Sequence, residues 1–409
     1  MEEFTNILTA IDSVVWGPPL IALILLGGIF LTFRLRGIQF RTLGLALKYT
    51  FKNEEDGKGE VTSFGALCTA MSATVGTGNI VGIATAVVAG GPGALFWMWL
   101  AALFGMATKF SEGLLAVKFR TMDKKGHVLG GPFYYIENGM GQKWRWLAKL
   151  FAFFGIGTFT QVNSISSAVT GFFDPAMAYT VTLFGAEYSI ATVIGGLVTA
   201  IFAGLVIIGG LKRIATVSER VVPGMVVVFL LFSFTLIFYN IDKLPAALLL
   251  IVQHAFGLQA FGAGMFGAIL IAMQMGLARG IFANEAGLGS APIAAAAAKT
   301  NEPARQGLVT MTQTFIDSII ICSMTGLALV MTNTYNIPGL EGAAVTSAAF
   351  QAGLPFVPPE VVSFILMICL ALFGFTTILG WSYYGERCLE YFSNRNLKAV
   401  FFVFSLALT

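Results

Sequence analysis

The sequence predicts an all-α polytopic membrane protein in which one extra N-terminal helix precedes a five-helix unit and a second, inverted copy of it. Three observations predict this. Of the 409 residues, 56% are hydrophobic and 11% charged, with a mean hydropathy of +0.81, a composition outside the soluble globular range. Nine apolar runs are long enough to cross about 30 Å of hydrocarbon. Gly76, Gly78 and Pro92 recur at one constant offset as Gly287, Gly289 and Pro303.

The runs span residues 13–33, 61–89, 93–119, 147–173, 188–211, 214–239, 263–298, 308–331 and 361–385. The first is too long for the core of a cleavable signal, and Glu2, Glu3 and Asp12 before it are acidic where a signal is basic. It is the extra helix, and residues 1–60 comprise it and a polar linker. Residues 61–240 form the first repeat and 241–409 the second. At the repeat offset, the run at 147–173 falls on the ninth run. A tenth run begins at Leu397 and is cut at Thr409, so the second repeat is expected to lack its last helix in this chain.

Orientation follows from basic residues. All but three of the 24 lysines and arginines fall in loops on one side of this topology or at the helix ends facing them; Lys243 lies opposite, and Lys109 and Arg279 lie inside spans. Positive charge marks the cytoplasmic side, which puts the N-terminus outside and the protein in the plasma (inner) membrane. The first repeat then starts inside and the second outside, as in secondary transporters.

The second run is broken at its centre by Thr74-Val75-Gly76-Thr77-Gly78-Asn79, and the seventh by Glu285-Ala286-Gly287-Leu288-Gly289. Unpaired backbone groups cost several kcal/mol each in hydrocarbon, so breaks there imply that a solute or ion takes them up. Half-helix N-termini favour anions and C-termini favour cations. An amino-acid zwitterion matches both, its carboxylate accepting from N–H groups around Thr77, Gly78 and Asn79. In the ninth run, Thr376 and Thr377 offer two hydroxyls. With carbonyls freed near Ser72 and Val75 they compose an all-oxygen set without a carboxylate, suited to Na⁺ rather than to a proton.

Other polar groups leave alternatives open. Gln161 and Asn163 are either interhelical glue or cavity lining. Lys109 and Glu112, three apart, can pair as a structural element or a gate. Arg279, Asn284 and Glu285 flank the second break, as a functional set or as a buried pair holding register. Asp317 is expected to meet a basic residue or water. Phe282 and Trp381 either pack or wall the cavity; as walls they restrict it to small side chains. The four cysteines have no metal or redox spacing, and His127 and His254 fall in loops. With no nucleophile–base arrangement and no nucleotide loop, the expectation is that the chain is not an enzyme. A net charge of +3 gives no reason to expect nucleic acid; the partners are the lipid bilayer, a small solute and an ion.

GGPGALFWMWLAALFG at 90–105 and GLARGIFANEAGLGSAP at 276–292 resemble signature blocks of the alanine or glycine:cation symporter family, and the similarity runs to WSYYGERC at 381–388. The resemblance implies a leucine-transporter-like fold and inward carriage of alanine or glycine with Na⁺. Val75-Gly76-Thr77-Gly78-Asn79 also resembles the V-G-L-G-N of neurotransmitter:sodium symporters, and Phe373-Gly374-Phe375-Thr376-Thr377 their A-G-x-T-S. By that resemblance Ser72, Val75 and Phe373 give carbonyls, and Thr376 and Thr377 hydroxyls, to one sodium. Thr74 and Gly78 offer backbone to the substrate carboxylate, with Gly76 between them in the substrate site, and Phe282 is a lid over it. Ala283 stands where a second sodium would need a threonine, so one coupling ion is expected.

Overall fold

The structure, a computed structural model, describes residues 17–52, 57–123, 126–156, 160–183, 185–258 and 263–393. The start of the first apolar run, before residue 17, and the tenth run lie outside them. Among the described residues, six helices are long and apolar enough to cross a membrane, or seven if the bent pair before and after Val75 counts as one span.

In chain order the helices that frame the molecule are α1 (Pro18–Arg34), α2 (Leu43–Phe51), α3 (Ser63–Thr74), α4 (Val81–Gly90), α5 (Gly93–Lys118), α6 (Arg145–Phe154), α7 (Thr160–Phe173), α8 (Ile190–Ile207) and α9 (Gly210–Tyr239). They continue as α10 (Leu244–Ala255), α11 (Ala263–Asn284), α12 (Ala291–Ala295), α13 (Pro303–Thr314), α14 (Cys322–Thr332), α15 (Ala343–Gly353) and α16 (Pro359–Ser393). Antiparallel pairs β1–β2 (Thr121–Met122, Val128–Leu129) and β3–β4 (Thr180–Leu183, Ala186–Ser189) close two of the connections.

The middles of α3, α5, α13 and α16 bury Leu67, Met71, Met98, Met106, Val309, Met311, Phe373 and Leu379, whereas α8 and α11 carry exposed Leu197, Phe202, Phe266 and Leu270 on a lipid-ready face. One apolar cluster gathers Leu67, Val75, Ile80, Phe229, Phe350 and Phe373, and a second gathers Ala66, Ala73, Ile293, Leu379 and Tyr383. The two clusters meet along α3 and α16. There Gly380 is required: a Cβ on it would stand 2.6 Å from the Ala73 backbone nitrogen.

Within the run expected at 147–173, the described residues form α6, which ends at Phe154, and α7, which begins at Thr160. The ninth span reaches Ser393, a little beyond its apolar run, because Arg387 and Glu390 continue the helix as an ion-paired turn. α10 and α15 have no counterpart in the long apolar runs; each is about three turns, too short to register as a span.

At one end of the bundle the segment before α3 lies against the segment after α12. Val61 and Ala298 form a parallel β-bridge, with Glu60 N donating to Ala297 O (2.8 Å), Lys299 N to Val61 O (2.7 Å) and Thr300 N to Lys58 O (3.1 Å). Arg120 clamps this join. Its guanidinium donates to the carbonyls of Ala296, Ala298, Lys58 and Thr300 at 2.6–2.7 Å.

Candidate functional site

The first break is built by a change of hydrogen-bond partner. The α3 ladder ends with Val75 N donating to Met71 O at 2.7 Å; Gly76 N then donates to Asn79 Oδ1 at 2.9 Å, so Ser72 O loses its helical donor. Residues Thr77–Asn79 form one 3₁₀ turn, and α4 leaves at 62° to α3. Thr74 Oγ1 accepts from Gln313 Nε2 (2.9 Å).

The expected ion ligands lie on the two helices that meet here. Ser72, Val75, Phe373, Thr376 and Thr377 are all fully buried. Ser72 Oγ donates to Thr69 O (2.7 Å), which leaves its carbonyl as the group facing the break. Thr376 and Thr377 both donate to Phe373 O, at 3.1 and 2.8 Å, as threonines in apolar helices commonly bond back one turn. Their oxygen lone pairs remain available to a cation, and the donor set is neutral and all-oxygen.

The second break follows α11. Glu285 takes a left-handed conformation (φ +55°), as do Gly287 (+89°) and Gly289 (+77°), before α12 begins. Its backbone donors are claimed from outside the segment: Gly287 N and Gly289 N donate to Glu112 Oε1 on α5 at 3.0 and 3.2 Å. An internal carboxylate thus occupies the place where an anion would bind this break. Lys109 Nζ lies 3.9 Å from Glu112 Oε2, the pair expected from their spacing.

Asp317 accepts from Asn79 Nδ2 (2.7 Å) and Ser318 Oγ (2.9 Å), and among the described residues no basic group lies within salt-bridge distance of it. The turn that carries it, Phe315–Ile321, is a π-helical stretch between α13 and α14, the kind of local bulge that presents a side chain out of register. Asn284 Nδ2 donates to the same Ser318 oxygen at 2.9 Å. A hydrogen-bond relay therefore joins the two breaks: Asn284, Ser318, Asp317, Asn79, Gly76. Nothing in the sequence spacing announces it except that Asp317 is an acid inside an apolar span.

Phe282, on the last turn of α11, is 39% exposed, and its ring edge lies 3.7 Å from the point where a Cβ on Gly78 would stand. Trp381 packs edge-on to Tyr384 (ring centroids 5.6 Å), hydrogen-bonds Glu285, and lines a cavity of about 310 Å³ with Phe151, Leu288, Ser290 and Ile293. The structure thus places Phe282 beside the first break and Trp381 beside the second. Gln161 is the second residue of α7, and its side chain lies outside the described residues; Asn163 is exposed.

Near the Arg120 clamp, His127 is not an idle loop residue. Nδ1 contacts Glu60 Oε1 (2.9 Å) and Nε2 contacts Glu390 Oε1 (3.1 Å), while Arg387 reaches Glu390 Oε2 (2.7 Å) and Glu60 Oε2 (3.6 Å). Hydrogen bonds to Glu390 and Glu60 raise the His127 imidazole to about 9. Burial raises Glu60, but His127 and Arg387 outweigh it and hold that carboxyl below its ordinary value.

The model of the sodium:alanine symporter family matches residues 1–409. The chain is 53% identical over 394 residues to an uncharacterized transporter of Haemophilus influenzae, covering 94% of this chain and 82% of that one. It is 44% identical over 405 residues to the sodium/alanine symporter AgcS of Methanococcus maripaludis (95% and 84% covered). It is 39% identical over 393 residues to a probable sodium/glutamine symporter, GlnT, of Bacillus subtilis (95% and 78%). Among solved structures, MhsT in complex with L-phenylalanine matches with a TM-score of 0.55 at 14% identity, over 86% of this chain and 79% of that one, which establishes a leucine-transporter-like fold.

Proposed function

The chain belongs to the sodium:alanine symporter family, sodium-coupled membrane transporters and not enzymes, and we propose that it moves one small neutral amino acid, alanine or glycine, inward with one Na⁺ by alternating access. The observation that carries this reading is the pair of broken helices joined through Asn79 and Asp317.

In this reading the substrate carboxylate lies against the backbone of Thr74, Gly76, Thr77 and Gly78 at the first break, since at the second Glu112 already takes the Gly287 and Gly289 N–H groups. Asn79 fixes the turn, Phe282 lies over Gly78, and Gln161 and Trp381 complete the walls. Na⁺ is held by the carbonyls of Ser72, Val75 and Phe373 and the hydroxyls of Thr376 and Thr377. A cation with so neutral a ligand set adds one net charge per cycle, since the zwitterion carries none. Moving that charge yields about 2.3 kcal/mol per 100 mV, and a tenfold Na⁺ gradient about 1.4; together they support accumulation on the order of 500-fold.

The 5+5 inverted arrangement, with residues 61–240 and 241–409 as the two repeats, gives the two breaks a common centre and opposite polarity. With the basic residues on the cytoplasmic side, this reading has the N-terminus outside and the Arg120 clamp in the cytoplasm, and takes the clamped arrangement as the one closed to the cytoplasm. Side-chain selection is steric: an added methylene against Phe282 costs about 1–3 kcal/mol.

Uptake of labelled alanine into proteoliposomes tests the reading. Uptake is expected to need Na⁺, to generate inward current, and to be competed by glycine more than by glutamine or leucine. Equal uptake without Na⁺, driven by a pH gradient, would overturn sodium coupling; preference for glutamine would overturn the small-substrate assignment.

A further inference from the structure

A second group of charges, distinct from the proposed ion ligands, sits inside the span. Lys109 on α5 is 0% exposed, and among the described residues its ammonium has no hydrogen-bond partner. Glu112, Glu285 and Asp317 are 7%, 5% and 0% exposed, and the Lys109 charge acts on all three. Each carboxylate is arranged as an acceptor. Glu112 Oε1 takes the two glycine N–H groups, Glu285 takes the Ser290 hydroxyl and the Trp381 indole, and Asp317 takes the Asn79 amide and the Ser318 hydroxyl. Dipoles thus satisfy most of the oxygens, but Glu112 Oε2 has no hydrogen-bond donor among the described residues, and the positive charge that acts on all three carboxylates is Lys109. Buried anions without a counter-charge are costly and take up a proton or a cation.

We propose that Lys109 is a positioning residue, a tethered cation that stands where a second dissociable cation would otherwise be needed and so holds the charge moved per substrate at one. This rests on the sodium-coupled reading. Its influence reaches the first break through Asp317, Asn79 and Gly76 N (2.7 and 2.9 Å), so the second break carries a permanent counter-charge and the first receives one from the ion that travels. The other titratable groups facing the cluster are the phenols of Tyr135 and Tyr384, beside Glu112 and Glu285, and the Cys322 thiol beside Asp317.

The test compares the full-length chain with Lys109→Arg, Lys109→Gln and Lys109→Gln/Glu112→Gln, by charge moved per labelled alanine and by thermal unfolding across Na⁺ concentration and pH. The wild type and Lys109→Arg are expected to move one charge per alanine. Lys109→Gln is expected to recruit a dissociable cation: the charge rises to two, and unfolding becomes steeply dependent on Na⁺ or on acid. The double variant removes one carboxylate with the ammonium, restoring the cluster's net charge, and is expected to recover wild-type behaviour in both readouts. If Lys109→Gln does not transport, the unfolding titration and its recovery in the double variant decide. Unfolding of Lys109→Gln with wild-type Na⁺ and pH dependence, or a double variant as altered as the single, would overturn the proposal. A wild type lacking Na⁺-dependent alanine flux would instead overturn the function proposed above, while leaving the unfolding comparison intact.

Discussion

Asn79 Nδ2 donates to Asp317 Oδ1 at 2.7 Å, across 238 residues of chain, while the same amide's oxygen accepts from Gly76 N. One side chain therefore both shapes the first break and ties it to the π-helical stretch. Buried hydrogen bonds to charged groups contribute about 1.5–3 kcal/mol. Asn79→Ala and Asp317→Asn are each expected to weaken alanine binding by about tenfold or more. Because both act on the same contact, one removing its donor and the other the charge of its acceptor, the double variant should lose less than the product of the two effects, read by calorimetric titration with alanine.

Thr377→Ala removes a hydroxyl from the proposed ion set, whereas Thr312 is equally buried but bonds Val309 O on another helix. Half-maximal Na⁺ for alanine uptake is expected to rise roughly tenfold in the first variant and to stay near wild type in Thr312→Ala. Indistinguishable Na⁺ curves would remove Thr377 from the site.

Gly380 lets α16 touch the backbone of Ala73. Gly380→Ala is expected to cost about 1–3 kcal/mol through overpacking and to abolish Na⁺-dependent uptake, since it separates the two helices that carry the ion ligands. Gly27 on α1 has open space around its Cβ position, and Gly27→Ala should leave both unfolding temperature and uptake unchanged.

The His127 cluster has a defined pH window. His127 is raised, to about 9, so its contribution is fully present below its ordinary value near 6.5 and is lost as pH rises through about 9. Glu60 is lowered, so its contribution is present above the ordinary carboxylate range and is lost only as pH falls below it. Closure at this end is thus strongest between those limits. Relative to a permanently exposed control cysteine labelled at the same pH, His127→Gln is expected to increase the reactivity of a cysteine placed in the segment beside Glu60 at neutral pH, and to remove the further increase that alkaline pH produces in the wild type.

Both breaks were legible because glycine and threonine inside an apolar run are a local signal, and the Lys109–Glu112 pair because three-residue spacing puts two side chains on one helix face. The partners of Asp317, Glu112 and His127 were not legible. Asp317 finds an amide more than half the chain away, Glu112 caps glycines of another helix, and His127 draws Glu60 and Glu390 from opposite ends of the sequence; such pairings exist only after folding. α10 and α15 escaped because they are about three turns long and leave no long apolar run.

The bridge between Val61 and Ala298 also sets an order in time. At about 5–20 residues per second of translation, the segment before α3 waits on the order of 10–50 s for its mate to leave the ribosome. Until then its exposed peptide groups face water with no ladder to join, and Arg120 has only one of its two client segments to grip. Sealing this end is therefore a late event of biogenesis, and substitutions in residues 58–61 or 297–300 should show first as poor yield of mature protein rather than as altered turnover.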